Sequence, residues 1–147
     1  PMQWDASKYA GFTAPNAATE PWIDVNPNHV EINAAEEFDD PDSVYTFYKK
    51  LIAMRHNNAT VAAGEWDLVA PDDERVYAFT RKHGDDVMLV IVNLTDKSAD
   101  VPTEVAHMLA DGIDESQVLL STYDAIHSTR SIARGELARW EGMVIQL

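Results

Sequence analysis

The spacing of apolar residues predicts one helix followed by a series of short strands. In residues 41–57, apolar side chains recur every three or four positions, which is the period of a helix with one buried face. This apolar stripe consists of Val44, Phe47, Tyr48 and Leu51, followed by Met54 or Arg55. From about residue 61 the period falls to two, which is typical of strands. The pattern therefore predicts an amphipathic helix in front of a domain rich in β-structure.

The predicted helix has its own start and stop signals. Asp40 is suited to cap the free N–H groups of the first turn, and Pro41 fits the first helical position. Asp42 adds negative charge where the helix dipole is positive. The pair Asn57-Asn58 is expected to end the helix.

The strongest strand signal is the unbroken apolar run VMLVIVNL at 87–94, which predicts a central strand covered on both faces. Alternating residues predict strands before it in EWDLVA at 65–70 and RVYAFTRK at 75–82. Weaker strands are predicted at about 98–102, 117–122, 131–134, 137–140 and 143–147. The segment 104–113 fits either a short helix or an irregular crossing. Short strands with turns between them predict a mainly β fold, either an antiparallel sandwich or an open barrel.

Residues 1–40 follow neither period. Large side chains at Met2, Trp4, Tyr9 and Phe12 occur there without regular spacing. A segment of this length without secondary structure is usually functional or disordered, and its aromatic content argues against disorder. We therefore expect these side chains to pack against a neighbouring element.

The charge of the chain excludes one class of partner. Its 25 acidic and 11 basic residues give a net charge of −14. A nucleic-acid-binding surface needs clustered lysine and arginine, so no nucleic-acid partner is expected. We interpret the acidic surplus as a solvated surface.

Two absences bear on the compartment. The chain contains no cysteine, which excludes disulfides and cysteine-based sites and is consistent with the reducing cytoplasm. No apolar run approaches the roughly 20 residues of a membrane helix, and no signal-peptide pattern is found. We therefore expect a cytoplasmic protein without a membrane partner.

No catalytic motif emerges from the residues themselves. The five histidines lie in no recognisable motif, and the chain has no Gly-x-Ser-x-Gly elbow and no phosphate-binding glycine run. The acidic run between residues 36 and 42 is better explained by the start of a helix than by a cation site. The sequence therefore predicts no catalytic residue, no metal and no cofactor.

Five motifs in the first 45 residues carry a family resemblance. In order along the chain they are PMQWD at 1–5, AGF at 10–12, PWIDVNPN at 21–28, EIN at 31–33 and DPDS at 40–43. Together they resemble the carboxyl-terminal part of an oligo-1,6-glucosidase-type α-glucosidase of glycoside hydrolase family 13, the α-amylase family. Beyond about residue 61 the similarity is looser, chiefly in VYAFTR and VMLVIVNL.

The resemblance implies a division into two parts of a longer enzyme. Residues 1–58 would be a remnant of the catalytic (β/α)8 barrel, comprising the loop after its eighth strand and then its eighth helix at about 41–57. Residues 59–147 would form the carboxyl-terminal antiparallel β-sandwich domain of the α-amylase type. Because the catalytic carboxylates of the family lie upstream, none is assigned here. Gln3, Trp4 and Asp5 would lie at the rim of the sugar site, where bracing the loop is favoured over direct sugar contact.

The implied parent enzyme hydrolyses terminal α-1,6 or α-1,4 glucosidic bonds of short oligosaccharides through a retaining mechanism with two carboxylates. Its partners would be the oligosaccharide and its own catalytic barrel, and this fragment alone is predicted to be inactive. Without that barrel, the apolar stripe is expected to pack on the β domain or on a second copy of the chain, which would give a homodimer.

Two alternatives stay open at this point. An independent carbohydrate-binding module would use exposed aromatic rings to stack on sugars; the candidates are Trp66, Tyr77, Tyr123 and Trp140. Alternatively, the parent would be a related trehalose-6-phosphate hydrolase, sucrose isomerase, trehalose synthase or dextran glucosidase. The residues that distinguish these activities are expected upstream of this chain.

Overall fold

The computed structural model describes residues 1–147 and separates them into two compact units, Pro1–Ile52 and Ala53–Leu147. The helices are α1 Ala34–Asp39, α2 Val44–Asn57, α3 Ala59–Ala63, α4 Thr103–Met108 and α5 Ala125–Arg134, with short 3-10 helices at Pro27–Val30 and Glu115–Gln117. The strands are β1 Glu65–Leu68, β2 Val76–His83, β3 Asp86–Asn93, β4 Ala99–Asp100, β5 Val118–Ser121, β6 Glu136–Leu137 and β7 Gly142–Gln146.

The second unit is built on a five-stranded antiparallel sheet in the order β1-β2-β3-β7-β5. The apolar run predicted to be central forms β3, which pairs with β2 on one side and β7 on the other. A second, two-stranded sheet joins β4 to β6. The prediction of a mainly β, antiparallel fold is confirmed.

The core of the second unit lies between one face of the large sheet and a layer made by α4, β4 and β6. Leu89 and Ile91 of β3 and Ile145 of β7 have no exposed surface, because their side chains alternate onto this face. From the opposite layer, Val105 and Leu137 are equally inaccessible. This unit therefore has the continuous apolar core that an independent domain requires.

The strand predicted at 131–134 is wrong, because these residues belong to α5. The carboxylate of Asp124 caps this helix by accepting a hydrogen bond from the N–H of His127 at 2.7 Å. At the other end, Gly135 adopts the left-handed conformation with φ 72° and closes the helix. The strand predicted after it at 137–140 is also misplaced, because β6 contains only Glu136 and Leu137.

The regular structure also differs from the prediction around α2. The helix begins at Val44, because Ser43 rather than Asp40 provides the cap: its Oγ accepts a hydrogen bond from the N–H of Thr46 at 3.1 Å. Asp40 instead accepts the N–H of Asp42 within the preceding turn, at 2.9 Å.

The stretch predicted to be irregular contains α1 and a 3-10 helix. The segment 104–113 is resolved in favour of a short helix, α4.

The first unit has almost no apolar core. Its buried hydrophobic residues are only Tyr9 and Ala10. Twelve large hydrophobic side chains of the unit are exposed: Met2, Trp4, Phe12, Trp22, Ile23, Val30, Ile32, Phe38, Val44, Tyr45, Tyr48 and Ile52. An exposed apolar surface of this extent is typical of a contact with another element.

None of the helices is both long enough and apolar enough to cross a lipid bilayer.

Candidate functional site

The three residues expected at the rim of a sugar site lie together in the opening loop. Gln3 fixes this loop to two later segments of the first unit. Its side-chain amide donates hydrogen bonds to Oδ1 of Asn28 at 3.1 Å and to the carbonyl of Ile32, and its own carbonyl accepts the N–H of Ala34 at 2.9 Å. Since both donors of the amide group are in use, Gln3 acts here as a brace.

Trp4 is held through its backbone while its ring remains available. Its N–H donates to the carbonyl of Ala10 at 2.8 Å, and its carbonyl accepts the N–H of Ala35 at 3.0 Å. The side chain is half exposed. The loop therefore fixes the position of an aromatic ring at the surface of the first unit.

Asp5 organises the turn that follows. Its carboxylate accepts the N–H of Ser7 at 2.8 Å. The hydroxyl and then the backbone N–H of Ser7 hold the pKa of Asp5 below its usual value, with a smaller contribution from His29. Because these bonds favour the ionised carboxylate, their stabilisation of the turn is fully present above the ordinary pKa of an aspartate and is lost as the pH falls through the lowered pKa.

The Ala-Gly-Phe motif is shaped by its contact with this carboxylate. Gly11 has φ 66°, and a Cβ built on it would lie 2.6 Å from Oδ2 of Asp5 and 3.0 Å from Cβ of Trp4. An added side chain would force Asp5 and Trp4 to move, in a left-handed backbone conformation that favours glycine. The two motifs PMQWD and AGF therefore form a single structural feature.

His29, which the sequence does not single out, links two loops of the first unit. Its Nδ1 lies 2.9 Å from the carbonyl oxygen of Asn26, and its Nε2 lies 3.0 Å from that of Ser7. A single histidine without a neighbouring motif gives no sequence signal for such a role. The contact pattern assigns it to the support of the Asp5 turn.

An apolar groove of about 580 Å³ lies beside Gln3 within the first unit. The loop contributes Met2 and Ile32 to it, and the helix contributes side chains of the predicted apolar stripe and its neighbours. The helical contributors are Val44, Tyr45, Tyr48, Lys49 and Ile52. Most of the lining surface is apolar, and the polar side chains of Gln3, Asn33 and Glu37 already form hydrogen bonds within the first unit. The chemistry of the groove therefore suits a packing surface.

The four aromatic residues considered for sugar binding fall into two places in the second unit. Trp66 and Tyr77 both approach Phe79, with ring centroids 6.4 and 5.4 Å apart and the rings tilted by 38° and 48°. Tyr123 lies beside the turn that carries Trp140, and its hydroxyl donates to the carbonyl of Arg139 at 2.9 Å. The chain contains no group of three or more histidine, aspartate or glutamate residues that could hold a metal ion.

We expect Gly11→Ala to disturb the site more than a glycine replacement with the same backbone strain elsewhere. Gly84 is the matched control, because its φ is 63° and an added Cβ would meet nothing within 4 Å. Gly84→Ala is expected to lower the free energy of unfolding by about 1 kcal/mol, because alanine is strained in the left-handed conformation. Gly11→Ala is expected to lower it by roughly 1–3 kcal/mol more, because of the overlap with Asp5.

Hydrogen exchange measures both effects locally, at the amide of Trp4 for Gly11→Ala and at the amides of β3 for Gly84→Ala. Equal losses of protection in the two variants would contradict the proposed contact between Gly11 and Asp5.

Comparison with known proteins identifies the family. The family model for the α-amylase catalytic domain matches residues 1–64. An oligo-1,6-glucosidase from Parageobacillus thermoglucosidasius is 36% identical over the full length of this chain. The chain belongs to the α-amylase family. Within this family it is of the oligo-1,6-glucosidase type, which confirms the resemblance seen in the motifs.

Other members of the α-amylase family are similar at the same level. A glucan 1,6-alpha-glucosidase from Streptococcus pneumoniae is 37% identical over 85% of this chain. The crystal structure of an isomaltulose synthase from Klebsiella sp. LX3 superposes on 99% of the chain with a TM-score of 0.77 and 32% identity. The chain spans about a quarter of the length of these proteins: 25% of the oligo-1,6-glucosidase, 24% of the glucan glucosidase and 24% of the synthase.

Proposed function

We propose that this chain is the non-catalytic carboxyl-terminal part of an α-glucosidase that hydrolyses terminal α-1,6 or α-1,4 bonds of short oligosaccharides. The observation that carries the proposal is the contrast between the two units. The first exposes twelve large hydrophobic side chains and buries two hydrophobic residues, whereas the second has a complete core. The first unit therefore needs a covering element, and the family supplies a candidate in its catalytic barrel.

In this proposal, residues 1–58 complete the catalytic barrel and residues 59–147 form the carboxyl-terminal β domain. The apolar groove beside Gln3 receives upstream parts of the barrel. Gln3, Trp4 and Asp5 brace the loop at the rim of the sugar site. This bracing role is supported by the hydrogen bonds of the Gln3 amide and of the Asp5 carboxylate, which are formed within the first unit.

The chemistry is assigned to carboxylates outside these residues. Retaining hydrolysis of a glycosidic bond uses two carboxylates about 5–5.5 Å apart, one as nucleophile and one as general acid and base. Asp5 is the carboxylate nearest to the proposed rim, but its hydrogen bonds with Ser7 favour its ionised form. It therefore lacks the raised pKa that a general acid needs at neutral pH.

The proposal is tested by assaying the 147-residue chain and the complete enzyme for glucose release from isomaltose and maltose. We expect release by the complete enzyme and none by the chain alone. Turnover by the chain alone would overturn the proposal. Incubation of the complete enzyme with sucrose distinguishes a hydrolase from an isomerase, since only the isomerase forms isomaltulose or trehalulose.

A further inference from the structure

The turn between β6 and β7 contains a backbone conformation that is unusual for its residue. Trp140 has φ 54°, in the left-handed region that a bulky side chain rarely adopts. Strain of this kind persists only where the surrounding structure determines it.

Hydrogen bonds from two neighbouring segments fix both sides of this residue. The N–H of Trp140 donates to the carbonyl of Thr95 at 3.0 Å, and its carbonyl accepts the hydroxyl of Thr122 at 3.2 Å. The next residue, Glu141, is fully buried, and its Oε2 accepts the N–H of Ala138 at 2.7 Å. Hydrogen bonds therefore hold the backbone of the turn on both sides of Trp140.

Glu141 makes this arrangement unfavourable for stability. Its Oε1 has no hydrogen-bond partner, and its nearest basic group is Nε2 of His127, 3.7 Å from Oε2. A buried carboxylate with incomplete hydrogen bonding opposes folding. Strain at Trp140 and burial of Glu141 both act against stability, which points to a function for the side chains that the turn presents.

Two exposed aromatic side chains lie here: Trp140 on the turn itself, and Tyr123 on the neighbouring segment that bonds to the turn. Trp140 is 57% exposed and Tyr123 is 44% exposed. The Tyr123 ring stacks on His127 with centroids 4.4 Å apart, and its hydroxyl bonds to the backbone of Arg139, so its position is fixed. The immediate hydrogen-bonding neighbours of Trp140 are Thr95 and Thr122.

This environment differs from that of the other exposed aromatic residues in the second unit. Trp66 and Tyr77 lie against Phe79 on a sheet, as members of one apolar cluster. A cluster of that kind suits packing against protein. A single exposed tryptophan beside the hydroxyl of Thr122 suits a ligand that has both apolar faces and hydroxyl groups, as a sugar has.

We propose that Trp140, together with Tyr123, binds a chain of glucose units on the second unit. The Trp140 ring stacks on the apolar face of a sugar. The class of ligand rests on the proposed function. The buried Glu141 is a positioning residue, because it holds the turn and has no contact with the sugar.

Trp140→Gly separates this role from a structural one. Glycine adopts the left-handed conformation freely, so the variant is expected to melt at or above the wild-type temperature. Calorimetric titration of the 147-residue chain with isomaltotetraose and with maltotetraose is expected to show binding by the wild type. Loss of the stacked ring is expected to weaken this binding about tenfold in Trp140→Gly.

Trp66→Ala is the control, because it removes an exposed tryptophan from the other cluster, and it is expected to leave binding unchanged. The absence of binding heat in the wild type would overturn the proposal, as would equal binding by Trp140→Gly or loss of binding in Trp66→Ala. Glucose release by the complete enzyme carrying Trp140→Gly is measured in parallel. If Trp140→Gly weakens sugar binding by the chain but leaves hydrolysis by the complete enzyme intact, the result supports this binding site. A wild-type complete enzyme that releases no glucose would instead contradict the proposed function.

Discussion

Tyr48→Glu is expected to lower the free energy of unfolding of the complete enzyme by roughly 3–5 kcal/mol, the cost of an unpaired charge in a buried apolar site. In the 147-residue chain alone, the same substitution is expected to change it by no more than about 0.5 kcal/mol, because Tyr48 is 61% exposed there. The difference follows from the proposal that the groove lined by Tyr48 receives the upstream barrel. A charge is tolerated while water reaches it and becomes unfavourable when a partner covers it.

Lys50→Glu provides the control on the same helix. Position 50 lies roughly 200° round the helix from position 48, and Lys50 is exposed. We expect this charge reversal to have a small effect in both proteins. Denaturant unfolding measures the stabilities, and glucose release reports whether the barrel is intact. Equal destabilisation of the chain and the complete enzyme by Tyr48→Glu would show that the groove is not the contact surface.

Secondary structure in the second unit could be predicted where the local sequence pattern favours a single type of element. The apolar run at 87–94 has the length and composition of a buried strand, and β3 occupies these positions almost completely. Residues 131–134 were misassigned because SIAR has no decisive period of its own. Their conformation is set by the cap at Asp124 and by the left-handed Gly135, both of which lie outside the segment.

The start of α2 shows a second limit. Asp40, Pro41 and Asp42 each suit a helix start, yet the first turn begins after Ser43. The Ser43 hydroxyl donates to the carbonyl of Glu37, at 2.7 Å, while it accepts the N–H of Thr46. This tertiary contact with the end of α1 decides among several acceptable caps, and a local pattern does not contain it.

The candidate site also has a part that the sequence predicts and a part that only the fold determines. The motif with Gln3, Trp4 and Asp5 was found because its residues are contiguous and ordered with other motifs. Two of the contacts that hold Gln3 come from residues 25 and 29 positions away, Asn28 and Ile32. Such pairings depend on the path of the loop, so a single sequence does not specify them. The contact between Gly11 and Asp5 is similar, since only the folded loop brings the glycine against a carboxylate.

Ile91→Ala is expected to destabilise the second unit by about 3–4 kcal/mol. Ile91 lies in the central strand β3 with no exposed surface, so its truncation removes buried apolar area and leaves a cavity under the layer formed by α4 and β6. Ile126→Ala is the matched control, because the same atoms are removed from a side chain that is 45% exposed. Its loss of contact is partly offset by the higher helix propensity of alanine within α5, so an effect below about 1 kcal/mol is expected.

Denaturant unfolding of both variants in the 147-residue chain measures the difference. Far-ultraviolet circular dichroism follows the sheet, while hydrogen exchange at the amides of Trp4 and Asp5 follows the first unit. If the second unit folds on its own core, Ile91→Ala lowers the midpoint of the sheet transition and leaves exchange at these two amides unchanged. Similar midpoints for Ile91→Ala and Ile126→Ala would mean that the sheet does not depend on this core. Faster exchange at Trp4 and Asp5 would mean that the first unit draws its stability from the second, and the proposal that it awaits a separate barrel would lose its main support.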